Sequence, residues 1–257
     1  MNSIEKYESL RGDPLEWHGN RLAFFKGSHK PELLIIGEAP GPEENFQGIP
    51  FVGPSGKLLN QLIIDCGLSD FRIAFLNVVF RMPLDVRTKT FRKPTSLEIS
   101  YYRPMVAEVI GYLSPTCILL CGSSACESIL ELTSVTPVRG KWFGNILPTF
   151  HPSYVLRNPD KREIMVSDFG LVAEKLKVTK AGIEQGTLRM KYALVIKAIR
   201  QHSAESADDL EMIKSYAESD PVASLTKARR LLESLVSEHS SLKAENLAER
   251  INTIPDL

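Results

Sequence analysis

Residues 33–60 read LLIIGEAPGPEENFQGIPFVGPSGKLLN, an unbroken apolar run that stops in a glycine- and proline-rich loop before helical spacing begins. Leu33 to Ile36 has the pattern of a short strand buried on both faces, and Leu58, Leu59, Leu62 and Ile63 recur at helical spacing within 56–66. In an open parallel sheet, ligands bind in the crevice beyond the carboxyl ends of the strands, which is where a loop after the first core strand falls. This loop carries a carboxylate, Glu38, two amides, Asn45 and Gln47, and an aromatic face, Phe51. It is therefore a candidate site.

Outward from this stretch the same alternation repeats. Strand-like runs at 33–37, 71–79, 116–121 and 145–150 alternate with helical patterns at 56–66, 95–113, 123–132 and 160–176. The economical architecture is an α/β fold with three αβα layers around a mainly parallel, four-stranded central sheet. Thr95, with Glu98 three residues later and Pro94 just outside, spells a capping box at the start of the second long helix. Residues 1–32 read as a packing arm, with a short helix near Ile4 to Leu10 and an apolar knot of Leu15, Trp17, Leu22, Phe24 and Phe25. After residue 178 strand-like runs disappear, leaving helical patterns at 187–201, 206–217, 221–239 and 242–251. The expected organisation is an α/β domain over 1–178, with its core at 31–176, followed by a helical C-terminal extension over 179–257. Its charges roughly balance, so it reads as a helical appendage rather than a basic nucleic-acid arm, and any protein partner it binds is unidentified.

Composition sets further bounds. The 257 residues are 43% hydrophobic and 24% charged, with a formal net charge of zero, so any nucleic-acid surface must be a local patch. No run reaches the roughly 18 apolar residues of a membrane span, and MNSIEKYESLRGDPLEW lacks the apolar core of a secretory signal. The expected compartment is the cytoplasm, with no membrane partner. The cysteines are Cys66, Cys117, Cys121 and Cys126, without a CxxC pair, and the histidines are dispersed. A protein-built zinc site is not expected.

Two more loops follow core strands and open on the same edge as the first. One runs from Asn77 to Pro94 and gathers Arg87, Lys89, Arg92 and Lys93; the other runs from Thr149 through His151 to Pro159. A parallel sheet brings Glu38, Phe51, Asn77 and His151 toward one crevice. Each has two readings. Glu38 is a solvated loop acid, or it orients a water. Phe51 closes the loop, or it gives a planar base a surface worth roughly 1 to 3 kcal/mol. Asn77 ties down backbone, or it offers a donor and an acceptor side by side. His151 is structural, or it donates to an oxygen that gains negative charge. Arg139, Lys141, Arg157, Lys161 and Arg162 frame the last loops as solvated charges or as a phosphate footprint.

GEAPG at 37–41, GIPFVGPSGKLLN at 48–60, Asn77-Val78-Val79, LCGSSA at 120–125 and HPSYVLRNPDKRE at 151–163 together resemble the family 4 uracil-DNA glycosylases, in the same order and at similar spacing over about 31–176. The resemblance implies a DNA base-excision enzyme that flips uracil, or a related modified uracil, out of single- or double-stranded DNA and hydrolyses its N-glycosidic bond. It implies that Glu38 orients water, Phe51 stacks on the ring, Asn77 reads the N3 hydrogen and O4, and His151 stabilises the uracil anion at O2. Gly37, Ala39, Gln47 and Ser153 complete the implied substrate site. Ser55, Leu156, Arg157, Lys161 and Arg162 face DNA, with Leu156 as a wedge.

The family resembled holds a four-iron cluster with four cysteines. This chain has no cysteine before residue 66, and two of the ligand positions hold Arg81 and Tyr102. No iron-sulfur cofactor is expected, and Tyr101, Tyr102, Phe80, Trp17, Phe24 and Phe25 are candidates for an aromatic substitute. Asn45, Pro54 and Ser55 are smaller departures. A catalytically inactive glycosylase-like DNA-binding or assembly protein is the alternative reading.

Overall fold

The computed structural model describes residues 4–17, 20–85, 87–88 and 90–202, with side chains to residue 182. The chain divides into two compact units, residues 1–177 and 178–257. Its elements are α1 (Glu5–Glu8), β1 (Phe25–Gly27), β2 (Leu33–Gly37), α2 (Pro42–Gln47), α3 (Pro54–Asp65), β3 (Ile73–Asn77), α4 (Ser96–Leu113), β4 (Cys117–Cys121), α5 (Ser123–Leu130), β5 (Ile146–Thr149), α6 (Pro152–Arg157) and α7 (Arg162–His202), with a 3-10 turn at Pro159–Lys161.

The sheet has five strands in the order β1-β3-β2-β4-β5. β2, β3, β4 and β5 pair in parallel, and β1 adds an antiparallel edge to β3 with Phe25 opposite Leu76. The four-strand expectation is thus corrected: Phe25 of the presumed packing arm enters the sheet. Its strand of three residues is too short for a period-2 signal. β2 and β4 are buried along their whole length, which is why they read as continuous apolar runs.

The chain leaves β2 for β3 on one side and then crosses back to β4 on the other. Right-handed crossovers place the connecting helices on opposite faces when the winding reverses. Accordingly α3 packs on α6, and α4 packs on α5. The loops after β2 and β4 diverge at this switch point, and a crevice opens between them.

The Thr95 capping box is present: its side chain accepts from the Glu98 N–H, and Glu98 accepts from the Thr95 N–H at 2.7 Å. α7 seats Met165, Phe169, Val172, Ala173 and Leu176 in the core at helical spacing. Separate helices at 160–176 and 187–201 were expected, whereas one helix runs from Arg162 to His202. Gly182 and Gly186 lie within this run, but an interior glycine costs only about 1 kcal/mol and no proline interrupts it. The expected helices at 206–217, 221–239 and 242–251, and Lys89, lie outside the described residues. Among the described residues no helix is long and apolar enough to cross a membrane.

Candidate active site

At the carboxyl ends of the parallel strands lie two adjoining chambers of about 290 and 220 Å³ that share Glu38, His151, Ser153 and Arg157. Ala39, Phe51, Ser55, Asn77, Phe91 and Leu156 line the larger one. Lys93, Ser123, Thr136 and Tyr154 line the smaller. Residues from three separate loops thus meet in one crevice, as parallel register requires.

The larger chamber has an aromatic wall whose backbone is strained. Phe51 sits at φ 55, a left-handed conformation rarely adopted by a bulky residue. Its neighbours explain why the conformation holds. The Lys26 ammonium donates to the Phe51 carbonyl at 2.8 Å, and a Cβ at Gly56 would come within 2.0 Å of that oxygen. The ring packs over Gly37, where a Cβ would meet Phe51 Cζ at 2.5 Å. Gly37 therefore acts by having no side chain. Glu44 holds the rest of the loop: its carboxylate accepts the N–H groups of Gly41, Val52 and Gly53 at 3.1, 3.1 and 2.9 Å. Three such bonds let a carboxylate stay buried. Its placement at the third position of a helix opening on Pro42 was a readable signal.

Asn77 is buried at the end of β3. Its Nδ2 donates to the Ala23 carbonyl at 3.1 Å. Since a carbonyl only accepts, this fixes which way the amide faces. Oδ1 points to the Gly37 side of the chamber, 3.1 Å from where a Gly37 Cβ would stand. A flat ligand on Phe51 would meet this acceptor and the second N–H of Nδ2.

His151 caps α6 with its own ring. Nδ1 accepts the Ser153 N–H at 3.2 Å, and Ser153 Oγ lies 2.7 Å from the same nitrogen. A backbone N–H cannot accept, so Nδ1 is the unprotonated nitrogen and the neutral ring carries its hydrogen on Nε2. Burial holds the imidazole below its ordinary pKa; the Glu38 carboxylate opposes this, and Lys93 and Arg157 reinforce it. The ring is therefore a neutral donor at pH 7. Buried Asp168 anchors the strand before it, accepting from Thr149 Oγ1 at 2.7 Å and pairing with Arg139 at 2.6 Å. Glu38 takes a hydrogen bond from Ser124 Oγ at 2.6 Å.

Other sequence candidates lie elsewhere. Gln47 ends α2, exposed and outside both chambers. Lys161 pairs with Asp160, and Arg162 with Asp65. Arg139 is committed to Asp168, Arg92 to Glu98, and Lys141 donates to the Pro137 carbonyl. Among the described residues, Lys93 and Arg157 are cations that line the crevice. Asn45 accepts from the Arg21 N–H at 2.9 Å and ties the N-terminal segment to α2. Sequence reading missed Lys26, Glu44 and the role of Ser124.

The place of the implied iron-sulfur ligands is built of other groups. Arg81, fully buried, donates to Asp13 at 2.7 Å, to the Leu10 carbonyl at 2.7 Å and to the Asn20 carbonyl at 3.3 Å. Tyr102 donates to the other Asp13 oxygen. Around this pair Phe80 stacks on Phe24 with centroids 4.4 Å apart and meets Tyr102 at 5.0 Å and Tyr7 at 5.8 Å. Tyr7 joins this aromatic cluster, whereas Phe25 packs on His29. A guanidinium and a phenol are not thiolate ligands, so these residues do not fit a cluster. The thiols that exist are free, and burial raises all four, Cys126 to about 11. Among the described residues no three metal-ligating side chains converge.

Comparison with known proteins matches residues 24–174 to the uracil DNA glycosylase superfamily model. The chain is 34% identical over 163 residues to the type-4 uracil-DNA glycosylase of Sulfurisphaera tokodaii, covering 58% of this chain and 72% of that one. It is 31% identical over 173 residues to the type-4 uracil-DNA glycosylase of Thermotoga maritima, covering 64% and 88%. A DNA polymerase of Bacillus phage SP01 is 24% identical over 197 residues, covering 75% of this chain and 20% of that protein.

Proposed function

The chain belongs to the uracil DNA glycosylase superfamily, and from that premise we propose that its crevice excises uracil from DNA as a monofunctional N-glycosyl hydrolase. A uridine leaves the base stack, at a cost of about a few kcal/mol, and enters the larger chamber. Phe51 stacks on its ring. Asn77 Oδ1 accepts from N3–H, and Nδ2 donates to O4. Cytosine offers an acceptor and a donor at those two positions and is refused. As the bond from N1 to the sugar C1′ breaks, its electron pair leaves with uracil, and the anion at O2 meets His151 Nε2–H. A neutral donor suits this task. Glu38 faces the cationic sugar, orients the attacking water and receives its proton. Leu156, 46% exposed at the rim, fills the vacated stack, and Arg157 takes phosphate.

The observation that carries this reading is that His151, with its Nδ1 taken by the Ser153 N–H, lines the same chamber as Asn77 and the Phe51 ring. Incubation with a single-uracil oligonucleotide, followed by alkali, tests it: the expected product is an alkali-labile strand plus free uracil. Release of neither uracil nor a modified uracil, from single or double strands, would refute it.

The same reading makes this a glycosylase that works without the cluster, supported by the buried Asp13–Arg81–Tyr102 network. Iron analysis of the purified protein should find none bound, and stoichiometric iron with visible absorbance would contradict it.

A further inference from the structure

The LCGSSA segment at 120–125 contributes to the site in a way its motif does not announce. Gly122, at φ +92, packs its backbone on His151: a Cβ there would stand 2.8 Å from His151 Cβ. Two residues later Ser124, in the first turn of α5, is buried at 7% exposure and sends its hydroxyl to Glu38 Oε2 at 2.6 Å. A serine in the first turn of a helix ordinarily bonds its own backbone. This one does not: α5 has no side-chain cap, and the neighbouring hydroxyl, Ser123, accepts from the Val135 N–H. The bond joins the loops after β2 and β4 across the switch point, within the 2.5 to 2.7 Å range typical of a hydroxyl donating to an ionised carboxylate.

We propose that Ser124 is a positioning residue for Glu38, committing Oε2 so that Oε1 alone faces the water and the sugar. This rests on the glycosylase reading above. A carboxylate with one oxygen tied has one orientation to offer. The oxygen left free both accepts the water proton and opposes the positive sugar. Without the hydroxyl the side chain turns among rotamers.

The test is a double-mutant cycle on full-length protein with a uracil oligonucleotide under single-turnover conditions. Ser124→Ala should slow excision roughly ten- to a hundredfold, the range of a lost hydrogen bond to a charged group, with little change in substrate affinity. Ser124→Thr, which keeps the hydroxyl, should restore the rate. In a Glu38→Gln background, Ser124→Ala should change little, because the carboxylate it serves is gone. Ser124→Cys, close in size and a weak donor, repeats the comparison if the alanine variant melts early. Equal slowing in both backgrounds, or no rescue by threonine, would overturn the proposal and leave the glycosylase reading intact. A wild-type chain that releases no base overturns the glycosylase reading itself, and this proposal with it.

Discussion

His151→Ala removes the neutral donor assigned to O2 of the leaving base, and its effect can be worked from the geometry. Nδ1 is occupied by the Ser153 N–H at 3.2 Å, so what the substitution deletes from the chamber is the Nε2 hydrogen. A donor placed for a developing oxyanion contributes about 2.7 to 4 kcal/mol, or roughly 10² to 10³ in turnover. The neutral carbonyl of the bound base makes a weaker bond to the same hydrogen, so affinity should change far less. Alanine keeps the Cβ that packs on Gly122, but the Ser153 N–H loses its partner, at a helix-cap cost of roughly 0.5 to 2 kcal/mol. Excision under enzyme excess, fluorescence anisotropy with uracil DNA and a thermal melt separate the three quantities. The pH dependence follows from the depressed pKa. The neutral ring is the active form, so wild-type activity should persist below pH 6.5, where an ordinary histidine is protonated. The unfolded chain takes up the proton first, so this contribution to stability is complete above about 6.5 and is lost as pH falls through the folded value. Equal losses in binding and turnover, or less than a tenfold effect on rate, would refute the role.

Asn77→Asp should erode selectivity, seen as a smaller ratio of uracil to cytosine release, because the fixed amide becomes a group without an N–H beside Ala23 O; an unchanged ratio contradicts the readout assigned to Asn77. Arg81→Met leaves the buried Asp13 charge with the Tyr102 hydroxyl and the Leu15 N–H but without its guanidinium and should cost about 3 to 5 kcal/mol, read from the urea midpoint, with Asp13→Asn/Arg81→Met less destabilised than the single variant. A change within 1 kcal/mol would show that the network does not hold the N-terminal segment.

The parallel core was legible because β2 and β4 are buried on both faces, so their residues carry no polar alternation to confuse the reading. Glu38, Asn77 and His151 were legible because each sits at or just past the end of an apolar strand, and Phe51 because it lies on the stretch that leads from β2 to α3; parallel topology brings all four to one crevice. β1 was not: three residues of an antiparallel edge cannot display a period. Ser124 stayed hidden because its partner lies 86 positions away in the chain, and local pattern says only that a serine opens a helix. Arg81 showed the same blindness. In the sequence it marked a lost ligand, whereas its meaning lies in Asp13 and the carbonyls of Leu10 and Asn20, which only the fold assembles. Two of the basic residues around the last loop have partners that no local pattern shows. Arg139 and Arg162 are answered by Asp168 and Asp65 from distant elements.

The central claim is tested most directly by release of free uracil from a single-uracil oligonucleotide, comparing wild-type protein with Glu38→Gln. The account predicts that the wild type leaves an alkali-labile strand, that Glu38→Gln is slowed many-fold, and that an otherwise identical cytosine strand stays intact. Tight binding without release by either protein would contradict it and leave a glycosylase-like DNA-binding protein in its place.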